Sequence, residues 1–183
     1  MTALRSDIDP DGLLEFSVVF TDRSLNHMSK AFQTVMTDIH DTLCEVYHAE
    51  TAVVVPGGGT FAMEAVARQV AGGEDVMVIR NGFFSFRWSQ IFEAGNIPAS
   101  QTVLKARRTG NEPTSAFLPA PLEEAIAKIH ELKPAAVFAP HVETASGMIL
   151  PDAYIRALAE AVHEHGGLMV LDCIASGCAW ALY

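Results

Sequence analysis

The sequence is short of basic residues. Its 183 residues include 12 Lys plus Arg against 22 Asp plus Glu, which gives a formal net charge of −10. Its longest basic cluster, at residues 105–108, reads Lys-Ala-Arg-Arg. A nucleic-acid-binding surface needs a dense patch of Lys and Arg to neutralise phosphates. We therefore expect no nucleic-acid partner and favour a small-molecule ligand.

Long apolar runs and paired cysteines are also missing. No segment approaches the roughly 20 apolar residues of a membrane-spanning helix, and residues 1–9 lack the apolar core of a signal peptide. The three cysteines, Cys44, Cys173 and Cys178, show no CxxC spacing. That pattern argues against a disulfide framework and against a zinc site. These absences predict a cytoplasmic protein without membrane segments or bound metal.

Apolar residues, by contrast, make up half of the chain. That content is enough for one well-buried domain, which we place at residues 24–183 after a polar lead-in at residues 1–23. The domain begins with a helix over residues 24–49, whose apolar positions form one stripe at helical spacing. We expect that stripe to be buried.

Strands and helices alternate along the rest of the chain. Apolar runs predict strands at 51–56, 76–79, 101–104, 135–139 and 168–171, with helices between them and one long loop at 105–121. Continuously apolar strands separated by helices are typical of an α/β fold with a mostly parallel sheet. Ligands of such sheets bind beyond the carboxyl ends of the strands. Four polar segments are expected to meet there: 57–60, 81–84, 141–146 and 172–176.

The turn at residues 57–60 is the strongest single signal. Residues 53–64 read Val-Val-Val-Pro-Gly-Gly-Gly-Thr-Phe-Ala-Met-Glu, a strand, a glycine turn and a helix start. Glycines accept positive φ and lack a Cβ, so the N–H groups of Gly58 and Gly59 can surround an anion at the positive end of the helix. The Thr60 hydroxyl can serve as helix N-cap or bind a phosphate oxygen. A tight turn without a ligand is the alternative interpretation.

Four motifs together resemble the class V branch of fold-type-I pyridoxal-phosphate enzymes, and within it the alanine-glyoxylate and serine-pyruvate aminotransferases. They are Gly58-Gly-Thr-Phe-Ala-Met-Glu64, Asn81-Gly-Phe-Phe84, His141-Val-Glu-Thr-Ala-Ser-Gly147 and Leu171-Asp-Cys-Ile-Ala-Ser176. The resemblance spans about residues 24–182. It implies the large, cofactor-binding domain of that family, an incomplete three-layer αβα fold with a mostly parallel sheet.

The resemblance also implies pyridoxal phosphate as cofactor and a role for each matched residue. The 5′-phosphate would be held by Gly58, Gly59 and Thr60. The pyridine ring would be contacted by Phe84, where many members have Trp, and by Thr144, Asp172 and Ile174. Ordinary packing is the alternative for Phe84 and Ile174, a turn-stabilising hydroxyl for Thr144, and a helix N-cap for Asp172. His141 is interpreted as a structural histidine more readily than as an indirect donor to the site.

Asp172 would have the catalytic role. Pyridoxal phosphate is an electron sink only while its ring nitrogen stays protonated, and an ionised carboxylate in contact with the nitrogen maintains that state through a charge-assisted hydrogen bond. The aspartate follows the last predicted strand directly. A carboxylate at that position is what the family's motif requires.

One departure from the family concerns lysine. Members bind the cofactor through a lysine one strand beyond the aspartate, and the lysines of this chain, Lys30, Lys105, Lys128 and Lys133, match no part of that motif. The small domain with the substrate-binding arginine is lacking too, and the chain ends on an apolar stretch. We therefore expect a truncated aminotransferase that is inactive alone. The full-length homodimer, with residues 24–49 at its interface, would move an amino group from alanine or serine to glyoxylate or pyruvate.

Two other functions fit parts of the sequence. Gly57, Gly59 and Ala62 match the GxGxxA dinucleotide-binding fingerprint. Arg80 and Asn81 stand where an NAD enzyme needs an acidic residue, so that interpretation requires an NADP-binding oxidoreductase. A non-catalytic remnant that serves as a binding or dimerisation module is the other alternative. A cysteine desulfurase is disfavoured, because its pattern has His in place of Phe84.

Overall fold

The computed structural model describes residues 30–177. The chain divides into one unit of Met1–Val54 with Leu182–Tyr183, and a second unit of Val55–Ala181. The predicted lead-in at residues 1–23 and Cys178 lie outside the described residues. In the first unit, the described part consists of helix α1 (Lys30–Tyr47) and the segment that follows it.

Helix α1 differs from expectation in its burial. The helix forms and carries the apolar stripe, but none of its residues is buried. Val35, Ile39 and Val46 are 45%, 39% and 57% exposed. The described residues of the first unit contain no second helix or strand that could cover the stripe, so the predicted burial of one face is wrong for this structure.

The predicted strand at residues 51–56 is also absent. The segment has no strand pairing, and Val53 and Val54 are 80% and 51% exposed. A run of β-branched residues has strand propensity, but a strand exists only where a neighbour accepts and donates its backbone hydrogen bonds. No strand among residues 30–177 pairs with this segment, so its sequence preference is not realised.

The second unit confirms the predicted α/β fold. The strands of its main sheet are β1 (Asp75–Arg80), β2 (Ser100–Lys105), β5 (Ala136–Pro140) and β8 (Leu168–Asp172). The helices are α2 (Gly59–Val70), α3 (Phe83–Gly95), α4 (Leu122–Leu132) and α5 (Asp152–His163). The four strands lie in the order β2-β1-β5-β8, and all three pairings are parallel.

The sheet lies between two helical layers. Because side chains alternate along a strand, Met77 and Ile79 of β1 pack in a core that includes residues of α4 and α5. Val76 and Val78, on the other face, pack in a core that includes residues of α2 and α3. Trp88 of α3 lies in this second core, with its ring centroid 4.7 Å from that of Phe138. The three-layer αβα architecture is therefore confirmed.

Two small hairpins modify the predicted loops. Residues 105–121 are not one structureless loop, because β3 (Arg107–Arg108) pairs antiparallel with β4 (Phe117–Leu118). The polar loop after β5 contains a second hairpin, β6 (Val142–Glu143) with β7 (Met148–Ile149). Periodicity does not detect strands of this length.

In the described part of the chain, no helix is both long and apolar enough to cross a membrane.

Tyr154 gives the second unit a pH-dependent contact. Its hydroxyl donates a 2.8 Å hydrogen bond to the Ala120 carbonyl. Burial, and to a smaller extent the charge of Glu124, raises the pKa of Tyr154 from 10.0 to about 12. Folding thus favours the neutral phenol. Its contribution to stability is complete below pH 10 and is lost as the pH rises through about 12.

We expect the native chain to lose stability between pH 10 and 12 more steeply than a Tyr154→Phe variant. Phe cannot ionise, so the difference between the two unfolding free energies isolates this group. Urea denaturation at a series of pH values measures it. Equal slopes for both proteins would show that Tyr154 ionises in the folded state as it does in the unfolded state.

Candidate functional site

The amino-terminal end of α2 is open and lacks a side-chain cap. Gly58 is the N-cap residue, and the helix has no side-chain capping hydrogen bond at this position. A Cβ built on Gly58 would meet nothing within 4 Å, and Gly57 has a φ of 133°. The first N–H groups of a helix carry partial positive charge and need acceptors. The geometry therefore leaves this turn open to an anion.

Thr60 lies in the first turn of α2 and is not the N-cap. Its Oγ1 instead accepts a 3.1 Å hydrogen bond from Nη1 of Arg87 in α3. The Arg87 guanidinium carbon is 5.6 Å from the centroid of the Phe84 ring, a cation–π distance. Phe84 is 37% exposed, so the ring is not simply part of the core. The structure thus brings Thr60 and Phe84 together through an arginine that the sequence analysis missed.

Gly59 and Ile174 also meet. A Cβ on Gly59 would lie 2.5 Å from Cδ1 of Ile174, so the close approach of the two segments depends on the glycine. Ile174 is 71% exposed, which leaves most of its side chain available to a ligand. Gly58, Gly59 and Ile174 are all exposed beside the α2 terminus.

Asp172 is the last residue of β8 and is only partly buried. One carboxylate oxygen, Oδ1, accepts a 3.0 Å hydrogen bond from the Ile174 N–H, and the backbone carbonyl accepts one of 2.9 Å from the N–H of His141. The residues described after Asp172 form turns rather than a helix. The aspartate therefore stabilises a turn and orients Ile174 with one oxygen.

Cys173, next to the aspartate, is not a nucleophile candidate. Burial raises the pKa of its thiol, the hydrogen bond with Ser176 lowers it, and the charge of Asp172 raises it, with a net upward shift. A thiol with a raised pKa stays protonated and unreactive near neutral pH.

Among residues 30–177, no three His, Cys, Asp or Glu side chains are grouped so as to hold a metal ion.

Thr144 and His141 lie on the hairpin after β5, in different surroundings. Thr144 is exposed and begins the turn between β6 and β7. His141 is fully buried, and its Nδ1 is 2.9 Å from the Ser176 hydroxyl. The histidine thus joins the end of β5 to the segment after β8, which agrees with the structural role favoured for it.

Glu143 is the second residue that the sequence analysis missed. It is fully buried, and its carboxylate accepts hydrogen bonds from the N–H groups of Phe84 (3.1 Å) and Ser85 (2.9 Å) and from the Ser85 hydroxyl (2.7 Å). A weaker bond of 3.4 Å comes from the Ala145 N–H. The negative charge therefore lies at the positive end of α3. It fixes the backbone of Phe84 and the turn that carries Thr144.

The four predicted segments thus meet at one edge of the sheet. Strand β5 lies between β1 and β8, so residues that follow these three parallel strands are neighbours. The contacts of Ile174 with Gly59 and of Arg87 with Thr60 bring the α2 terminus to the same place. An anion-binding turn, an accessible aromatic ring, a hydroxyl and a carboxylate together suit a flat, phosphorylated ligand. The binding role of each residue stays a prediction.

Comparisons with known proteins give structural matches only. No family model matches the sequence, and no curated protein matches it. The solved structures that it resembles include an alanine–glyoxylate aminotransferase from Nostoc sp., with 28% identity and a TM-score of 0.66. That match covers 82% of this chain and 37% of the Nostoc chain.

Two further matches are aminotransferases at lower identity. The ureidoglycine-glyoxylate aminotransferase of Bacillus subtilis has 23% identity and a TM-score of 0.65, over 80% of this chain and 35% of the other. The pyridoxamine-pyruvate aminotransferase of Mesorhizobium loti has 17% identity and a TM-score of 0.69, over 93% and 39%. This chain therefore spans between a third and two fifths of each of these proteins.

Proposed function

We propose that this chain, whose fold is that of the large domain of fold-type-I pyridoxal-phosphate enzymes, is the cofactor-binding part of a class V aminotransferase. The observation that carries the proposal is the meeting of an uncapped α2 terminus, an accessible aromatic ring and a strand-end carboxylate at one sheet edge. The whole protein would transfer an amino group from a small amino acid, such as alanine or serine, to a 2-oxo acid, such as glyoxylate or pyruvate.

The described residues fit pyridoxal phosphate. Backbone N–H groups at Gly58 and Gly59, with the Thr60 hydroxyl, offer donors to its phosphate at the positive end of α2. Phe84 and Ile174 would contact the ring with their apolar side chains, and Thr144 would offer a hydroxyl. When bound, the cofactor supplies an electron sink for the substrate's electron pair.

Asp172 would keep that electron sink effective. Its Oδ1 already accepts the Ile174 N–H, which orients the carboxylate and leaves Oδ2 for a protonated ring nitrogen. A carboxylate suits this role, because an ion pair that includes a hydrogen bond stabilises the protonated, charged form of the ring nitrogen. This role follows from its position at the end of β8, beside the segment that carries Ile174.

The rival dinucleotide-binding function has less support. Its fingerprint requires a strand immediately before the glycine turn, whereas residues 51–55 form no strand in the structure.

The exposed stripe of α1 favours the homodimer, which we propose to be cytoplasmic. Light scattering of the purified protein tests the dimer, and a monomer at working concentration would contradict it.

The protein as its gene encodes it provides the test of function. We expect it to bind pyridoxal phosphate, seen as a change in cofactor absorbance, and to convert glyoxylate or pyruvate to the corresponding amino acid when alanine or serine is supplied. Cofactor binding without transfer to any small 2-oxo acid would support the non-catalytic remnant instead. Failure to bind the cofactor would reject both.

The 183-residue chain alone is expected to bind the cofactor without a covalent bond. Lys105 ends β2, which is three strand spacings, or about 14 Å, from β8. A lysine side chain is too short to span that distance to Asp172 at the end of β8. Lys128 pairs with Glu131 at 2.6 Å, and Lys133 follows α4, ahead of the amino end of β5. Lys30 is exposed in the first unit.

Borohydride reduction followed by mass spectrometry measures this prediction. Reduction fixes any imine between cofactor and lysine, so we expect the mass of the treated chain to remain that of the free polypeptide. A second sample, reduced in the presence of a large excess of cofactor, shows how much nonspecific labelling of surface lysines the treatment causes. One lysine modified in stoichiometric amount would show that this chain contains its own cofactor-binding lysine.

A further inference from the structure

Arg87 links two of the proposed cofactor-binding segments. It lies in α3, four residues after the helix begins, and is partly buried. Its Nη1 donates to Thr60 Oγ1 at 3.1 Å, and its guanidinium carbon lies 5.6 Å from the Phe84 ring centroid. One cation therefore contacts both the first turn of α2 and the aromatic ring.

The bond to Thr60 prepares that hydroxyl for an anion. A threonine hydroxyl has one proton to donate, and an arginine can only donate. Because Thr60 Oγ1 accepts from Arg87, the proton of Thr60 stays available for a second acceptor, and the nearby positive charge makes it a stronger donor. The guanidinium carries further N–H groups, so the contact with Thr60 does not exhaust its own capacity.

The neighbouring arginine shows what is particular to Arg87. Both Arg68 and Arg87 line a cavity of about 400 Å³ between α2 and α3, together with Thr60. Arg68 is neutralised by an ion pair with Glu64 at 2.7 Å. Among the described residues, no carboxylate forms an ion pair with Arg87. Its charge is therefore the uncompensated one beside the α2 terminus.

We propose that Arg87 is the positioning residue that makes this site selective for a phosphorylated cofactor over the same molecule without its phosphate. The proposal rests on the proposed function and deepens it. Arg87 orients the Thr60 hydroxyl toward the phosphate and adds the positive charge of its guanidinium to the partial charge of the helix terminus.

Equilibrium titrations with pyridoxal phosphate and with pyridoxal test the proposal on the protein as its gene encodes it. The native chain is expected to bind the phosphorylated form more tightly. In Arg87→Gln the affinity for pyridoxal phosphate should fall by about tenfold to a hundredfold, the loss typical of one charge-assisted hydrogen bond. Its affinity for pyridoxal should stay that of the native chain, because pyridoxal presents no phosphate to the turn.

Two further variants separate charge from structure. Arg68→Gln is the matched control, because Arg68 lines the same cavity but is paired with Glu64, and we expect its preference for phosphate to equal that of the native chain. Arg87→Lys keeps the charge without the planar guanidinium and should recover part of the preference. Unchanged pyridoxal binding shows in the same titration that each variant is folded at the ring site.

The outcomes distinguish this inference from the proposed function. If Arg87→Gln retains the full preference for pyridoxal phosphate, Arg87 does not select the phosphate and the inference is wrong. The same holds if the variant binds pyridoxal phosphate and pyridoxal more weakly by the same factor. If the native chain binds pyridoxal phosphate no more tightly than pyridoxal, the phosphate assignment of the α2 turn fails, and this inference fails with it. Recovery of phosphate selectivity in Arg87→Lys supports it.

Discussion

If the proposed amino-group transfer is the activity of the protein as its gene encodes it, an Asp172→Asn variant is expected to lose that transfer by about a hundredfold or more, as is typical when one preorganised charged group is removed from an active site. Asparagine has nearly the same shape, and its carbonyl oxygen can still accept the Ile174 N–H that Oδ1 accepts. It has no negative charge, so it cannot keep a ring nitrogen protonated. The loss should fall on kcat more than on KM, because the role proposed for this carboxylate is toward the ring nitrogen and not toward the substrate.

Steady-state kinetics with saturating cofactor measure this effect. Asp152→Asn is the control, because Asp152 begins α5, is exposed and lies outside the site. We expect that variant to keep native activity. If Asp172→Asn also kept kcat within about twofold, a change too small for a lost charged contact, Asp172 would serve only the turn that it stabilises.

The Glu143→Ala variant is expected to lose about 3 kcal/mol or more of unfolding free energy, as removal of a buried charged acceptor usually does. The fully buried carboxylate satisfies the N–H groups of Phe84 and Ser85 and the Ser85 hydroxyl. Alanine leaves these donors without an acceptor in a closed space. Such a loss is a large share of the 5–15 kcal/mol that stabilises a typical domain.

Urea denaturation measures the loss, and Glu131→Ala provides its scale. Glu131 forms an exposed ion pair with Lys128, so its removal should cost at most about 1 kcal/mol. Glu143→Gln keeps one acceptor oxygen, but its NH2 group faces donors that the second carboxylate oxygen accepts in the native chain. We therefore expect its stability to lie between those of the native chain and Glu143→Ala. Equal losses in Glu143→Ala and Glu131→Ala would mean that Glu143 does not hold the start of α3.

Most of the fold follows from local sequence patterns. Helices were expected between the apolar runs, where α2, α3, α4 and α5 lie, and the strands β1, β2, β5 and β8 each coincide with a short apolar run. A strand buried on both faces must be apolar throughout, and a helix with one buried face shows a period of 3.6 residues. These constraints act within a dozen residues, so the sequence displays them directly.

Contacts between distant segments could not be predicted in the same way. The Glu143 carboxylate bonds to a residue 58 positions away, and Arg87 to one 27 positions away. Glu143 stood inside a quoted motif, yet nothing local indicated that it would be buried against α3. The failed predictions have the same origin: the stripe of α1 and the valines at 53–55 have the right periodicity and propensity, but their use depends on partners elsewhere.

The sequence by itself determined the order of the helices and main-sheet strands of the second unit, the parallel sheet and the edge at which polar segments collect. It did so because apolar periodicity and glycine turns act over short stretches of chain. Only the tertiary structure decided which side chains meet at that edge: Arg87 with Thr60, Ile174 with Gly59, and Glu143 with the start of α3. Those pairings depend on the strand order and on the packing of helices across the sheet, which no local pattern encodes.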